Sequence, residues 1–423
     1  MFEIYQAMSI ITPTSLVGAR SPIYVTAGYS ALATSLTDVE FEVYIWEGSR
    51  SSRPASAQYT LFRDIFAGTD VSFDLAPMVQ EYLSNAYKNL DGTTVAFAPN
   101  GSVVWVQIDY TINYQNKADP PVTVNVTGSS EIFEASNGYH IFIEAANKEV
   151  NKGFASVNAE KYIKDSGNEV VPVYLGKWGE GYDIYWAYKD RVIADGGTVE
   201  GGSACANIGL HKVEYLGDSG YNVDLPITEA QLQGLQAEER VMLLPCGVTN
   251  LTTWLGSVGE PLNYTNYYDL RLKDKDGTVL DTRRFYPTCE SKYSPSVMQF
   301  VNKNGVWESV TFFKRSDSTI STTTNEYRKS LGSSGSTGFT YDTTAHKYQR
   351  INTNGRKRFT LNTGWVGEDY DTIMEQMLMS ERVMLDGLPV NVTTNSLNLQ
   401  KSVNDKMINY IIEVEEAFDT RYV

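Results

Sequence analysis

Three histidines, His140, His211 and His346, are scattered through 423 residues with no second histidine three or four positions away, so local spacing builds neither a zinc site nor a Ser-His-Asp relay. His140 follows Tyr139 in an expected strand, where an imidazole on a sheet face is the ordinary reading. Two acidic groups have the residue types of a glycoside hydrolase: Glu415 with Glu416, and Glu368 with Asp369 and Asp371. Their settings read instead as the solvent side of a strand and the start of a helix, where negative charge is favourable. Asp274, Asp276 and Gly277 imitate part of a calcium loop, but the third acid before the glycine and the closing bidentate Glu are missing. A hairpin turn is the stronger reading there. The glycine-rich stretches Gly176 to Gly181 and Gly196 to Gly202 match no phosphate-cradling pattern, and no Ser or Cys nucleophile motif occurs. The expected set of catalytic, cofactor-binding and metal-ligating residues is therefore empty, with no cofactor and no enzymatic activity.

One cluster has the residue types of a nucleic-acid contact: Lys347, Arg350, Arg356, Lys357 and Arg358, with Tyr348 and Phe359 interleaved. In a chain of net charge −16, a solvated hairpin around Asn354-Gly355 is the better expectation, or a patch that pairs with an acidic neighbouring subunit.

The elements that must carry these residues are β-rich. The 33 glycines and 14 prolines sit among many Ser and Thr residues, favouring turns and strands over long helices. The spacing predicts a mainly β fold of antiparallel β-sandwich-like domains with a few short amphipathic helices. Cys205, Cys246 and Cys289 stand about forty residues apart with no CxxC pair, so disulfides are not expected to organise it. No apolar run approaches membrane-spanning length and no basic residue precedes Arg20, so neither membrane insertion nor a secretory signal is expected. Tyrosine supplies 28 of the aromatic side chains. Surfaces buried only on assembly and plain β-propensity account for it equally well.

Three domains are expected. Residues 1–146 read as an N-terminal sandwich-like domain, with strands at Phe41 to Trp46, Tyr59 to Phe62 and Val71 to Phe73 and a helix carrying Leu75, Met78, Val79, Tyr82, Leu83 and Ala86 on one face. Hairpins are expected around Asn100-Gly101 and Asn137-Gly138. Residues 147–265 form a middle β-rich insertion or domain, with a capping box at Thr228 and Gln231. Residues 266–423 form a C-terminal β-rich domain with one helix at about 368–380, a hairpin near Asp386-Gly387, and a strand carrying Ile408, Tyr410, Ile412 and Val414 on one side. Ser330 to Phe339, SLGSSGSTGF, reads as a flexible exposed loop. Hairpin, helix and further strands recur at both ends, which suggests an internal duplication.

The densest pattern is Arg284 to Arg315, RFYPTCESKYSPSVMQFVNKNGVWESVTFFKR. Met298 to Val301 and Val306 to Phe313 are β-rich runs joined at Asn304-Gly305, a hairpin. Its second arm alternates Val306, Val310 and Phe312 with Glu308 and Thr311, a half-buried pattern with Trp307 on the opposite face.

This stretch, with LNTGWVGEDYDTIMEQMLMSERVML at Leu361 to Leu385 and NDKMINYIIEVEEAFD at Asn404 to Asp419, resembles structural tail proteins of tailed bacteriophages, particularly the short-tailed, crAss-like phages. Fainter likenesses are SPIYV at Ser21 to Val25 and FDLAPMVQEYL at Phe73 to Leu83. The resemblance covers roughly the last third of the chain and brings no active-site residues. It implies a structural virion protein, a ring- or hub-type tail component made in the host cytoplasm. Its partners would be other copies in a closed ring, other tail or portal-adjacent proteins, and genomic DNA passing the lumen without specific binding. The ring this likeness implies is expected to close at about twelve copies through head-to-tail contacts, with sixfold as the alternative. The rival expectation is a carbohydrate-binding surface or tail module stacking sugars on Trp178, Tyr182, Tyr185 and Trp186, and a glycoside hydrolase is the weaker third.

Overall fold

A computed structural model describes residues 10–14, 16–27, 33–65, 70–84, 86–87, 95–150, 153–174, 212–226, 240–273, 279–290, 292–397 and 407–421. The chain is mainly antiparallel β, with sandwich-like sheet pairs and three short α-helices among the described residues. It divides into two compact units. Unit 1 comprises Met1–Cys289 with Phe300–Val310, and unit 2 comprises Glu290–Gln299 with Thr311–Val423.

The first core of unit 1 lies between two sheets. One has the order β1-β3-β6, from β1 (Ile10–Ile11), β3 (Tyr24–Ala27) and β6 (Val71–Asp74). The other runs β2-β10-β8-β4-β5, from β2 (Val17–Gly18), β4 (Ala33–Trp46), β5 (Tyr59–Asp64), β8 (Val103–Asn116) and β10 (Phe133–Ser136), with β9 (Thr123–Ser129) also on β8. Alternation sends Val39, Phe41 and Val43 of β4 inward against Val25, Val71 and Ile108 and leaves Glu42 in water. The helix after β6 is shorter than its apolar spacing suggests: α1 is Ala76–Gln80, with Pro77 in its first turn. The Asp74 carboxylate accepts the backbone N–H groups of Ile23 and Ala76, tying the helix start to β3.

A second core in unit 1 gathers Val173, Tyr215, Leu244, Leu255, Tyr268 and Phe285. Its sheets are β11-β13-β16-β7 and β12-β18-β17-β14-β15. The strands are β7 (Ala96–Phe97), β11 (Gly153–Phe154), β12 (Glu160–Lys164), β13 (Val170–Tyr174), β14 (Lys212–Gly217), β15 (Asn222–Pro226), β16 (Val241–Pro245), β17 (Tyr268–Lys273) and β18 (Val279–Thr288). Helix α2 (Val248–Ser257) contributes Leu251, Trp254 and Leu255 to this core. The boundary expected between residues 265 and 266 does not fall there, because β17 pairs with β14 and β18 pairs in parallel with β12. Many tyrosines are spent here inside the protein: Tyr268 donates to the Cys246 carbonyl at 2.5 Å and Tyr215 to that of Asn263 at 2.6 Å.

Two hairpins expected in unit 1 are absent. After Asn100-Gly101, β8 pairs with β4, while β7 before the turn joins β16. Beyond Asn137-Gly138 the chain makes a 3-10 turn, Phe142–Glu144, in place of a strand. That turn leaves Phe142 wholly exposed and Ile143 nearly so.

Unit 2 is built on the order β20-β19-β25-β26-β27-β24-β21, although Phe300–Val310 of the first hairpin is part of unit 1. The strands are β19 (Ser296–Val301), β20 (Trp307–Phe312), β21 (Asp317–Arg328), β24 (Tyr348–Gly367), β25 (Val383–Leu385), β26 (Leu388–Val392) and β27 (Met407–Glu416). Between β21 and β24 lie β22 (Gly332–Gly335) and β23 (Gly338–Tyr341), a small hairpin where a flexible loop was expected. Helix α3 (Tyr370–Met379) buries Tyr370, Ile373, Met374 and Met377. Both Asp386 and Gly387 take positive φ, 47° and 83°, which suits the tight turn joining β25 to β26. Asn354-Gly355 makes no turn and lies inside the 20-residue β24. The duplication fails on strand order: β27 pairs with β24, the second strand of its preceding hairpin, whereas β8 pairs with β4, the first.

Candidate assembly interface

Among the described residues, the ribbon made by β21 and the first half of β24 has no core of its own. Its residues, DSTISTTTNEYR in β21, are β-formers with almost nothing apolar to bury, so propensity makes a strand that no sheet face needs to cover. From Lys314 to Thr360 no described side chain is buried. β24 anchors the ribbon by pairing with β27 from Arg358 onward, whereas the segment Tyr348 to Lys357 has β21 as its strand partner. A bulge between Thr323 and Asn325, opposite Asn352 at φ 49°, bends the ribbon. β21 ends the sheet and contains neither Pro nor Lys, two of the usual guards of an exposed edge.

The expected basic cluster lies on this ribbon, and two of the cations at its base, Arg356 and Arg358, are paired within the chain. The Arg356 Nε donates to Asp419 at 2.6 Å, and Arg358 donates to Glu415 at 2.8 Å. The hydrogen bond from Arg358 holds the Glu415 carboxyl below its ordinary value. Arg356, Glu415 and Asp419 line a polar concavity of about 400 Å³ with Ser321 and Asn354. Further out, Arg350 pairs with Glu326 at 3.3 Å. Arg328, Lys329 and Lys347 pair with no acid among the described residues. They stand where the ribbon meets the tip hairpin, beside Tyr348, 61% exposed, on a ribbon whose tip carries Phe339, 72% exposed.

Unit 1 presents the opposite charge. On the outer face of β4 and β8, Glu42 lies across from Asp109, and Glu40 across from Thr111. Glu40, Glu42 and Asp109 line a shallow trough of about 340 Å³ with Thr111, Thr127 and Ser129. Asp38 and Asp64 continue the acidic row, face to face across β4 and β5, with Asn113 donating to Asp38 at 2.7 Å. Burial works to raise the Asp109 pKa, but hydrogen bonds from Arg53 and Ser129 outweigh it and hold the carboxyl below its ordinary value.

The other residues with chemical potential are dispersed. His140 accepts the Gly18 N–H at 3.4 Å, and burial holds its pKa below the ordinary value. His346 is exposed on the arm that this ribbon and its tip hairpin form. Glu416 is buried and accepts the Lys357 N–H at 3.2 Å. Asp369 and Asp371 sit at the start of α3. Cys246 is buried, and burial pushes its thiol up, while Cys289 is exposed. Among the described residues no three His, Cys, Asp or Glu side chains group as metal ligands, and no helix is long and apolar enough to cross a membrane. His211, Cys205, Asp274, Asp276, Gly277, the Thr228 capping box, both glycine-rich stretches and the aromatic set Trp178, Tyr182, Tyr185 and Trp186 lie outside the described residues.

Spacing gave no sign of two buried ion pairs in unit 1. Lys161 lies 3.5 Å from Glu308, and Arg240 lies 3.1 Å from Glu134, all four nearly or wholly out of water. Burial raises the Glu134 pKa against the pull of Arg240. Glu308 in particular is not on the solvent side of a half-buried strand: every residue of β20 is buried.

No family model matches the chain, and no curated protein does. Among solved structures it is similar to one described as "Structural insight into host cell surface retention of a 1.5-MDa bacterial ice-binding adhesin", with 6% identity over 97% of this chain and 98% of that one. The TM-score of 0.13 carries no argument about fold or function.

Proposed function

We propose that this chain is a structural virion protein, a ring-forming component of a short-tailed phage tail that joins neighbouring subunits around the DNA channel and performs no chemistry. The observation that carries the reading is the ribbon from Lys314 to Thr360, an ordered β-structure with no described buried side chain. A two-stranded ribbon alone is marginal in water, so one this long has a purpose if a neighbour covers it. The exposed Phe142 and Ile143 of unit 1 add an apolar knuckle of the kind that marks contact surfaces. The resemblance of the last third of the chain to phage tail proteins supplies the setting, and the net charge of −16 suits a lumen that must release a polyanion.

Averaged images of the native tail test this. A closed ring of this subunit is expected, and isolated copies decorating the particle at scattered positions would refute the reading.

A further inference from the structure

We infer that the arm of one copy docks on the acidic face of β4 and β8 of a second copy, a head-to-tail contact; this rests on the structural reading above and names its interface. Between Asp317 and Arg358 the sequence holds seven Lys or Arg and three Asp or Glu, a net of +4 in a chain of −16, so the rest of the chain carries −20. The arm is therefore a basic element on an acidic protein, and another copy of the same chain is a complementary partner. Charge is also placed where it can act between molecules. Arg356 and Arg358 are satisfied by Asp419 and Glu415 at the base, whereas Arg328, Lys329 and Lys347 at the far end pair with no acid among the described residues. Tyr348 beside them supplies apolar area that gains by leaving water.

The receiving face is chosen by shape and chemistry. Glu40 and Glu42 flank a shallow trough whose other wall is Thr127 to Ser129 of β9, a polar, open surface against which a two-stranded ribbon can lie. Arg53 already engages Asp109 there; Glu42 accepts the Tyr44 hydroxyl at 3.1 Å, and neither Glu40 nor Glu42 has a cationic partner among the described residues. Since the arm and the face are different surfaces, the contact is heterologous and propagates from copy to copy until it closes or extends.

The test is a charge swap in the full chain. An arm-reversed variant carries Arg328→Glu, Lys329→Glu and Lys347→Glu; a face-reversed variant carries Glu40→Lys and Glu42→Lys. Sedimentation and native mass spectrometry at low and high salt read the assembly, with circular dichroism confirming that each variant folds. The wild type is expected to self-associate with salt sensitivity, and each variant alone to lose about a hundredfold or more in affinity. An equimolar mixture of the two variants should recover assembly, because the reversed arm meets the reversed face. Variants that assemble like the wild type would overturn the interface while leaving the structural reading intact. Wild type that stays monomeric to about 100 μM, or variants whose mixture stays apart, would also overturn it, the first outcome removing the ring reading as well. Capture of duplex DNA by the arm, lost in the arm-reversed variant, would assign the cations to nucleic acid and refute the proposal.

Discussion

The ammonium of Lys161 lies 3.5 Å from the carboxylate of Glu308, with 3% and 0% of their side chains exposed. Glu308 also accepts the Val157 N–H at 3.1 Å and the Asn302 side-chain amide at 2.8 Å, so Lys161 of β12, the loop before that strand and the turn of its own hairpin all hold this carboxylate. Removing one partner strands the other charge out of water. Lys161→Met and Glu308→Gln should each cost about 3–5 kcal/mol, with the double variant recovering much of that loss. Chemical denaturation of the single and double variants measures the coupling, and single variants within error of wild type would show that the pair is dispensable.

Three glycines make close backbone contact possible in unit 1. A Cβ on Gly305 would lie 2.4 Å from the Gly138 nitrogen, and one on Gly18 would lie 2.7 Å from the Gly138 carbonyl carbon. Gly305 has φ 78°, and the adjoining Lys303 carbonyl accepts the Tyr139 N–H at 2.8 Å. Gly305→Ala is expected to destabilise by about 1–3 kcal/mol through strain, with more from the clash. Gly387→Ala, with φ 83° and open space around its Cβ, should cost less. Equal losses in a denaturation series would argue against the close approach.

Asp218 gives a pH dependence. Its exposed carboxylate accepts the backbone N–H groups of Thr265 and Asn266, both at 2.6 Å, and these bonds hold its pKa below the ordinary value. A folded pKa below the unfolded one means that the contribution is present above the unfolded value, about pH 4, and is lost as pH falls through the folded value. The melting temperature of Asp218→Ala should therefore fall short of wild type at about pH 7 and converge with it in acid. A gap that persists undiminished at about pH 2 would mean that the carboxylate charge is not its source.

Duplex DNA should bind weakly or not at all. Arg356 and Arg358, the base of the basic cluster, are already paired with Asp419 and Glu415, and each phosphate contact they made would first have to break those pairs. A titration at several salt concentrations checks this. Tight binding with a steep salt slope, abolished by Arg356→Ala with Lys357→Ala and Arg358→Ala, is the contrary result.

Local pattern determined the class of fold and several of its parts. Ser/Thr-rich alternation announced strands, the spacing of Tyr370, Ile373, Met374 and Met377 announced α3, and Ile408, Tyr410, Ile412 and Val414 share the buried side of β27. The Asn-Gly and Asp-Gly pairs show where local information stops. Asp386-Gly387 and Asn304-Gly305 turn a hairpin, Asn100-Gly101 turns the chain between different sheets, and Asn354-Gly355 runs straight through β24. Such a dipeptide permits positive φ, but strand partners are chosen by which apolar faces can be buried together, and those lie far apart in the chain. For the same reason alternation around Glu308 marked a solvent side that does not exist, since β20 is covered on both faces. The cations of the arm were visible as a cluster, but only the folded chain brings Asp419 and Glu415, about sixty residues later, against Arg356 and Arg358, and so separates the paired arginines at the base from the cations at the far end.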